Sequence, residues 1–211
     1  SLLTEAKKFD GTNIVSIFIN PAQFNEENDF TNYPKTFEAD LDILEKTNCE
    51  IIFTPSVKEM YPRGANPEKT VLKYRDILCD LSRPGHFDGV TTIVKILLDL
   101  IKPSRVFFGE KDYQQLKIIE QLILQNSLNL DLIKCPSVRD LNGMSLSSRY
   151  VNFSQNQQLQ FEECAKIINT KFKILKKIFN QETVQSIEYE LKNFGISKID
   201  YCEVRNEENY N

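Results

Sequence analysis

Four short stretches of this chain combine residue types that handle phosphate and carboxylate groups. GEKDYQQ (109–115) sits where an apolar run gives way to a helix-like one, and it offers Gly109, Glu110, Lys111 and Asp112 at the junction. Free backbone N–H groups and the positive end of a helix dipole favour anions there, and Lys111 adds a mobile point charge. The same residues also read as a plain capping box, with Asp112 as N-cap, Gln115 as its third-position partner and Lys111 as a solvated loop lysine. NGMSLSSRY (142–150) brings serine hydroxyls, backbone amides and the planar fork of Arg149 into one loop, a set able to wrap phosphate oxygens. An ordinary polar turn with Arg149 in a surface ion pair is its other reading. In INPAQF (19–24), Gln23 both donates and accepts hydrogen bonds, so it can hold a carboxylate and a hydroxyl without adding charge; an Asn-Pro turn closing a strand explains the same residues. RPGHF (83–87) places Arg83 beside His86, the single histidine, at a helix start, where a satisfied cap accounts for it and no proton-transfer role is assigned.

Positioning such groups requires a scaffold, and the pattern of the chain predicts one. NIVSIFIN, within residues 12–20, is apolar on both faces and reads as a buried, central parallel strand. A loop rich in Asn, Asp and Glu follows, then a helix opened by Pro34 with Phe37, Leu41 and Leu44 on one stripe. CEIIFTP supplies a strand and SVKEMYPRG a turn; Val71, Tyr74, Leu78 and Leu81 suggest a helical face over 65–82. Residues 87–101 have helical period up to Pro103, SRVFFG is a second buried strand, 112–125 form a helix turning Leu116, Ile119, Leu122 and Ile123 inward, and LDLIKCP is a further strand. Repeated strand–helix–strand units predict an α/β fold built on a Rossmann-like, doubly wound parallel sheet. Beyond Tyr150 the texture changes to two long polar helices, about 155–179 and 182–194, ending at Gly195 before the strand-like ISKIDYCEVR. A domain boundary at Val151 follows, giving residues 1–150 and 151–211. SLLTEAKKFDG reads as a helix entered midway and NEENYN as a sheet left unfinished, so both ends look like cut edges.

Composition narrows the function classes. The chain has 211 residues, 41% hydrophobic and 27% charged, with no apolar run of bilayer length, which argues against a membrane role. A formal charge of -4 provides no global positive field to collect nucleic acid. Five scattered cysteines without a CxxC pair read as reduced thiols of a cytoplasmic protein, and one histidine cannot build a His-rich metal site. Any metal is expected to arrive with a substrate.

Taken in order, SIFINPAQF, YPKTFEADL, SRPGHFDGV, VFFGEKDYQQL and SLSSR resemble the pantothenate synthetase family, within the HxGH nucleotidyltransferase superfamily, over roughly residues 1–150. The resemblance implies an ATP-dependent acid–amine ligase: pantoate attacks the α-phosphate of Mg-ATP to give pantoyl adenylate, and β-alanine displaces AMP. It further implies that Gly109, Glu110, Lys111, Asp112, Val138, Leu146, Ser147, Ser148 and Arg149 bind ATP, with Lys111 and Arg149 as the catalytic cations. Gln23 and Gln115 would hold pantoate, and Gln23 would also meet β-alanine. Mg2+ carried by the nucleotide, a homodimer, and a smaller, incomplete α+β C-terminal lid over residues 151–211 belong to the same implication. The family's HxGH motif is expected immediately before SLLTEAK, and the family usually carries Asn after the arginine, where this chain has Tyr150. Another HxGH enzyme, such as a cytidylyltransferase or a class I aminoacyl-tRNA synthetase fragment, would use a similar sheet, and a non-catalytic nucleotide-binding module is the remaining alternative. Gln23 within INPAQF and Gln115 after GEKD favour the pantoate ligase.

Overall fold

The computed structural model describes residues 2–25, 30–34, 36–47 and 49–206, so the acidic loop at 26–29 and the polar end at 207–211 lie outside the described residues. It parts into two compact units, Ser1–Pro136 and Ser137–Asn211.

The first unit is α/β. After α1 (Leu2–Ala6), β1 (Ile14–Ser16) pairs in parallel with β2 (Ile51–Phe53), Ile14 opposite Ile51, and the ladder runs one step further through Ile17 N–H to the Phe53 carbonyl. The connection between them carries α2 (Phe37–Glu45). β3 (Arg105–Gly109) pairs in parallel with β4 (Asp131–Cys135) over five residues, joined by α6 (Tyr113–Gln125). Among the described residues, then, the parallel strands form two separate two-stranded ladders, whereas the sequence predicts one continuous sheet. β1 is shorter than the apolar run that encodes it, and Ile14 and Ile51 face solvent, so the expectation of a strand buried on both faces does not hold at its start.

Most of the core lies on two helices. α5 (His86–Ile101) buries Phe87, Val90, Ile93, Val94 and Leu98, and α6 buries Leu116, Ile118, Ile119 and Leu122 almost completely. Each of those side chains contributes about 2 kcal/mol of apolar burial. The inward set expected on α6 is therefore found. Phe37, by contrast, is exposed, and only Leu44 of the α2 stripe is deeply buried; the helix starts after Thr36.

The helical face expected over 65–82 is absent apart from α3 (Val57–Met60) upstream and the single turn α4 (Cys79–Ser82). Instead Tyr74, Asp76 and Leu78 adopt positive φ, a conformation costly for side-chain-bearing residues. A buried polar network over-determines that path. Arg75 donates to Asp80 at 2.9 Å, to Asp88 at 2.7 Å and to the Val71 carbonyl at 3.2 Å. Gln114, from α6, donates to the carbonyls of Tyr74 and Ile77 and accepts from Cys79 N–H. Burial opposes ionisation of Asp80, but the Arg75 guanidinium and the Asp76 N–H outweigh it and hold the carboxyl below the ordinary range.

The second unit holds α7 (Gln155–Leu175) and α8 (Gln181–Asn193), each opened by a side-chain cap, Ser154 and Asn180. Their mutual contact buries Cys164, Ile187 and Leu191, against which Ile196, Ile199 and Cys202 pack. Residues 196–206 thus pack as irregular chain; the strand expected there has no ladder partner among the described residues. α7 stops at Leu175, short of the predicted 179. All five cysteines are free thiols, and no described helix is long and apolar enough to cross a membrane.

Candidate active site

Gln23 belongs to a single 3-10 turn, Pro21–Gln23, that follows the end of the first strand run. Its lead residue, Asn20, is only 2% exposed and uses its whole carboxamide. Oδ1 accepts from Ala22 N–H and from the Tyr61 hydroxyl at 2.7 Å, while Nδ2 donates to the Gly89 carbonyl at 3.0 Å. Burial, eased in part by the Asn20 bond, raises the Tyr61 phenol to about 12, so it remains a donor across the neutral range. The helix α5 presses directly on this turn. A β-carbon at Gly89 would lie 2.5 Å from the Ala22 carbonyl carbon and 2.7 Å from Gln23 N, so only glycine permits the approach. At the start of the same helix, His86 Nδ1 donates to the Gln23 carbonyl at 2.7 Å and Arg83 adds a longer bond at 3.4 Å.

The second predicted region adjoins the first. Gly109 ends β3, and Glu110–Asp112 form a 3-10 turn leading into α6. Asp112 occupies the N-cap position without making a side-chain cap bond, so the capping-box reading of GEKDYQQ is not realised. Lys111 is exposed, its ammonium 3.6 Å from the Asp112 carboxylate. Gln115 is half-buried one step beyond Gln114. The link to the Gln23 turn is twofold. Gln114 anchors the 74–79 segment that delivers Arg83 and His86, and the Asp112 carboxylate lies close enough to act on the His86 charge. Burial is the largest influence on that histidine and pushes its pKa below the ordinary value.

In the second unit, the serine loop is a small hairpin. Leu146 N–H donates to the Val138 carbonyl, Asp140 N–H donates to the Met144 carbonyl, and the Asp140 carboxylate caps the turn by accepting from Asn142 and Met144 N–H. Gly143 at the tip has φ of 84°, and a side chain there would collide with the Asn169 carboxamide. Val138 and Leu146, brought side by side by this pairing, both stay exposed. Ser147 then caps a 3-10 turn, Ser148–Asn152, by accepting from Arg149 N–H, and Tyr150 donates its hydroxyl to the Ser145 carbonyl at 2.7 Å. Tyr150 therefore braces the loop from within. Ser148 and Arg149 lie on the exposed surface.

Among the described residues no cluster of three or more His, Cys, Asp or Glu side chains is placed to hold a metal ion. Asn20, Tyr61, Arg83, His86, Gly89 and Gln114 are the functional-looking residues that sequence reasoning did not assign. Their roles depend on contacts 35 to 69 residues apart, and only the RPGH string hinted at them.

The Pantoate-beta-alanine ligase family model matches residues 1–211, the whole of this chain. This chain belongs to the pantoate–β-alanine ligase family. The pantothenate synthetase of Acinetobacter baylyi is 40% identical to it, covering 97% of this chain and 73% of the relative. That of Caldicellulosiruptor bescii is 36% identical, with 100% and 75% coverage. Among solved structures, a pantothenate synthetase from Thermus thermophilus superposes with a TM-score of 0.90 at 29% identity, covering 99% of this chain and 76% of that one. A pantoate–β-alanine ligase from Francisella tularensis, complexed with βγ-ATP and β-alanine, gives 0.80 at 36% identity, with 89% and 71% coverage. These ligase structures share the α/β fold of parallel strands and helices described above.

Proposed function

We propose that this chain performs the ligation of pantoate and β-alanine to pantothenate at the expense of ATP. In the first step a carboxylate oxygen of pantoate attacks the α-phosphorus, the bond to the β-phosphate oxygen breaks, and pyrophosphate leaves. In the second, the β-alanine amine attacks the acyl carbon, AMP departs with the former carboxylate oxygen, and the amine loses a proton. Negative charge grows on the leaving pyrophosphate during the first step, so fixed cations lower its barrier more than they tighten the ground state.

Lys111 and Arg149 are assigned that role. Gly109, Glu110 and Asp112, with the N–H groups opening α6, line the nucleotide site; Ser147 and Ser148 donate to phosphate oxygens, and exposed Val138 and Leu146 offer apolar surface to the base. Gln23 and Gln115 hold pantoate, and Gln23 also meets β-alanine. Mg2+ would enter with ATP as part of the substrate and would offset negative charge on its phosphates. Residues 1–150 carry nucleotide and pantoate; 151–211 serve as the lid that keeps water from the acyl adenylate. The working form is a cytoplasmic homodimer.

The observation that supports this reading is one hydrogen-bonded framework: Gln114, three residues beyond Lys111, holds the segment 74–79, and His86 at the start of α5 holds the Gln23 carbonyl, so a residue suited to carboxylate and one suited to phosphate share a scaffold. Its test is substrate omission. Pantothenate and AMP are expected only when pantoate, β-alanine and Mg-ATP are all supplied to the full chain, whereas pantoate and Mg-ATP alone release pyrophosphate once per active site. Release of ADP and phosphate, or turnover with another acid in place of pantoate, would reject it.

A further inference from the structure

We infer that Arg83 and His86 are positioning residues for pantoate: together they fix the backbone of Gln23 so that its carboxamide meets the substrate in one orientation. This rests on the assignment of Gln23 to pantoate given above. The bond pattern leaves one protonation state. A carbonyl only accepts, so His86 Nδ1, 2.7 Å from the Gln23 oxygen, carries the hydrogen. A guanidinium only donates, so Nε2, 3.3 Å from Arg83 Nη1, presents its lone pair. The ring is therefore neutral and in a single tautomer, polarised by the arginine behind it. Arg83 also reaches the Gln23 carbonyl directly through Nη2 at 3.4 Å, so the two side chains form a closed three-membered arrangement with that oxygen.

The surroundings maintain this state. His86 is 7% exposed, and its burial disfavours the cation; the Arg83 charge acts in the same direction, while the Gln23 carbonyl, Asp112 and Asp80 pull the other way. Adding a proton at Nε2 would set an N–H against the guanidinium and break the Arg83 contact. Neither side chain is thereby a catalytic residue, since each acts on substrate only through Gln23.

Pantoate and ATP affinities, measured separately by calorimetry on the full chain, test the assignment. His86→Ala is expected to weaken pantoate about tenfold, the loss of roughly one hydrogen bond, with ATP affinity changed less than about twofold. His86→Asn, whose Nδ2 stands where Nδ1 stands, is expected to restore pantoate affinity to within about threefold of the parent. In the parent, pantoate binding should weaken as the pH falls below the ordinary histidine range and His86 gains a proton, and this dependence should vanish in His86→Asn. Wild-type pantoate affinity in His86→Ala, equal loss of ATP and pantoate affinity, or failure of His86→Asn to restore pantoate binding would each overturn the inference. If His86→Ala does not fold, His86→Asn decides alone, through its pantoate affinity relative to the parent. Gln23→Ala separates the two layers: unchanged pantoate affinity there rejects the reading of Gln23 itself, whereas weakened binding there with no effect in His86→Ala rejects only the positioning role.

Discussion

Replacing Gly89 by alanine pits a local gain against a tertiary loss. Within a helix interior the substitution normally stabilises by about 1 kcal/mol, because glycine has the higher backbone entropy in the unfolded chain. Here the new β-carbon would stand 2.5 Å from the Ala22 carbonyl carbon and 2.7 Å from Gln23 N, both backbone atoms. Ordinary contact is about 3.5 Å, so the turn and the helix must part by about 1 Å. That movement stretches the Asn20 bond to the Gly89 carbonyl and the His86 bond to the Gln23 carbonyl, now 3.0 and 2.7 Å. Overpacking costs about 1 to 3 kcal/mol and each weakened bond about 1 kcal/mol, so the net expectation is a loss of about 2 to 4 kcal/mol once the helix gain is subtracted. Urea denaturation measures the stability change. Calorimetry with pantoate measures the functional one, expected to exceed tenfold because a displacement of about 1 Å at a binding group is felt strongly. A Gly89→Ala protein that is more stable than the parent and binds pantoate normally would refute the close approach and the clamp built on it.

Other outcomes follow from the same geometry. Lys111→Ala is expected to slow pantoyl adenylate formation by about 2 to 4 kcal/mol in barrier while leaving pantoate affinity nearly intact, read by single-turnover AMP transfer; an unchanged rate removes Lys111 from transition-state stabilisation. The Tyr61 phenol is raised in the fold to about 12 from an ordinary value of 10.0, so the folded state keeps a proton that the unfolded state gives up. Its contribution is complete below pH 10 and is lost as pH rises toward 12. Thermal unfolding between those values should show a slope in the parent that is reduced in Tyr61→Phe, and equal slopes would contradict a buried phenol bonded to Asn20.

How much of this was legible in the sequence depends on whether a signal is local. α5 and α6 were read well because their apolar residues recur at helical spacing, and β3 and β4 because their apolar runs end at a glycine and a proline. The segment 65–82 misled for the opposite reason. Its apolar residues also fall at helical spacing, yet Arg75 bonded to Asp80 and Asp88, and Gln114 bonded to the backbone of Tyr74, Ile77 and Cys79, hold the chain at positive φ, a tertiary effect that outweighs propensity. The 196–206 stretch has strand-like composition but finds apolar contacts on α7 and α8 rather than a ladder. The strings around Gln23, Lys111 and Arg149 are visible in the sequence as chemistry. The clamp is not, because Asn20, Tyr61, His86 and Gly89 look like a turn residue, a tyrosine, a cap and a helix glycine until they are seen on one carbonyl and one carboxamide.

The acyl adenylate leaves an atomic record. If pantoate labelled with 18O in both carboxylate oxygens is turned over with unlabelled ATP and β-alanine, one label is expected in the phosphate of AMP and the other in the amide carbonyl of the product. Label retained entirely by pantothenate or lost to solvent, or found in pyrophosphate, would contradict attack of the pantoate carboxylate on the α-phosphorus.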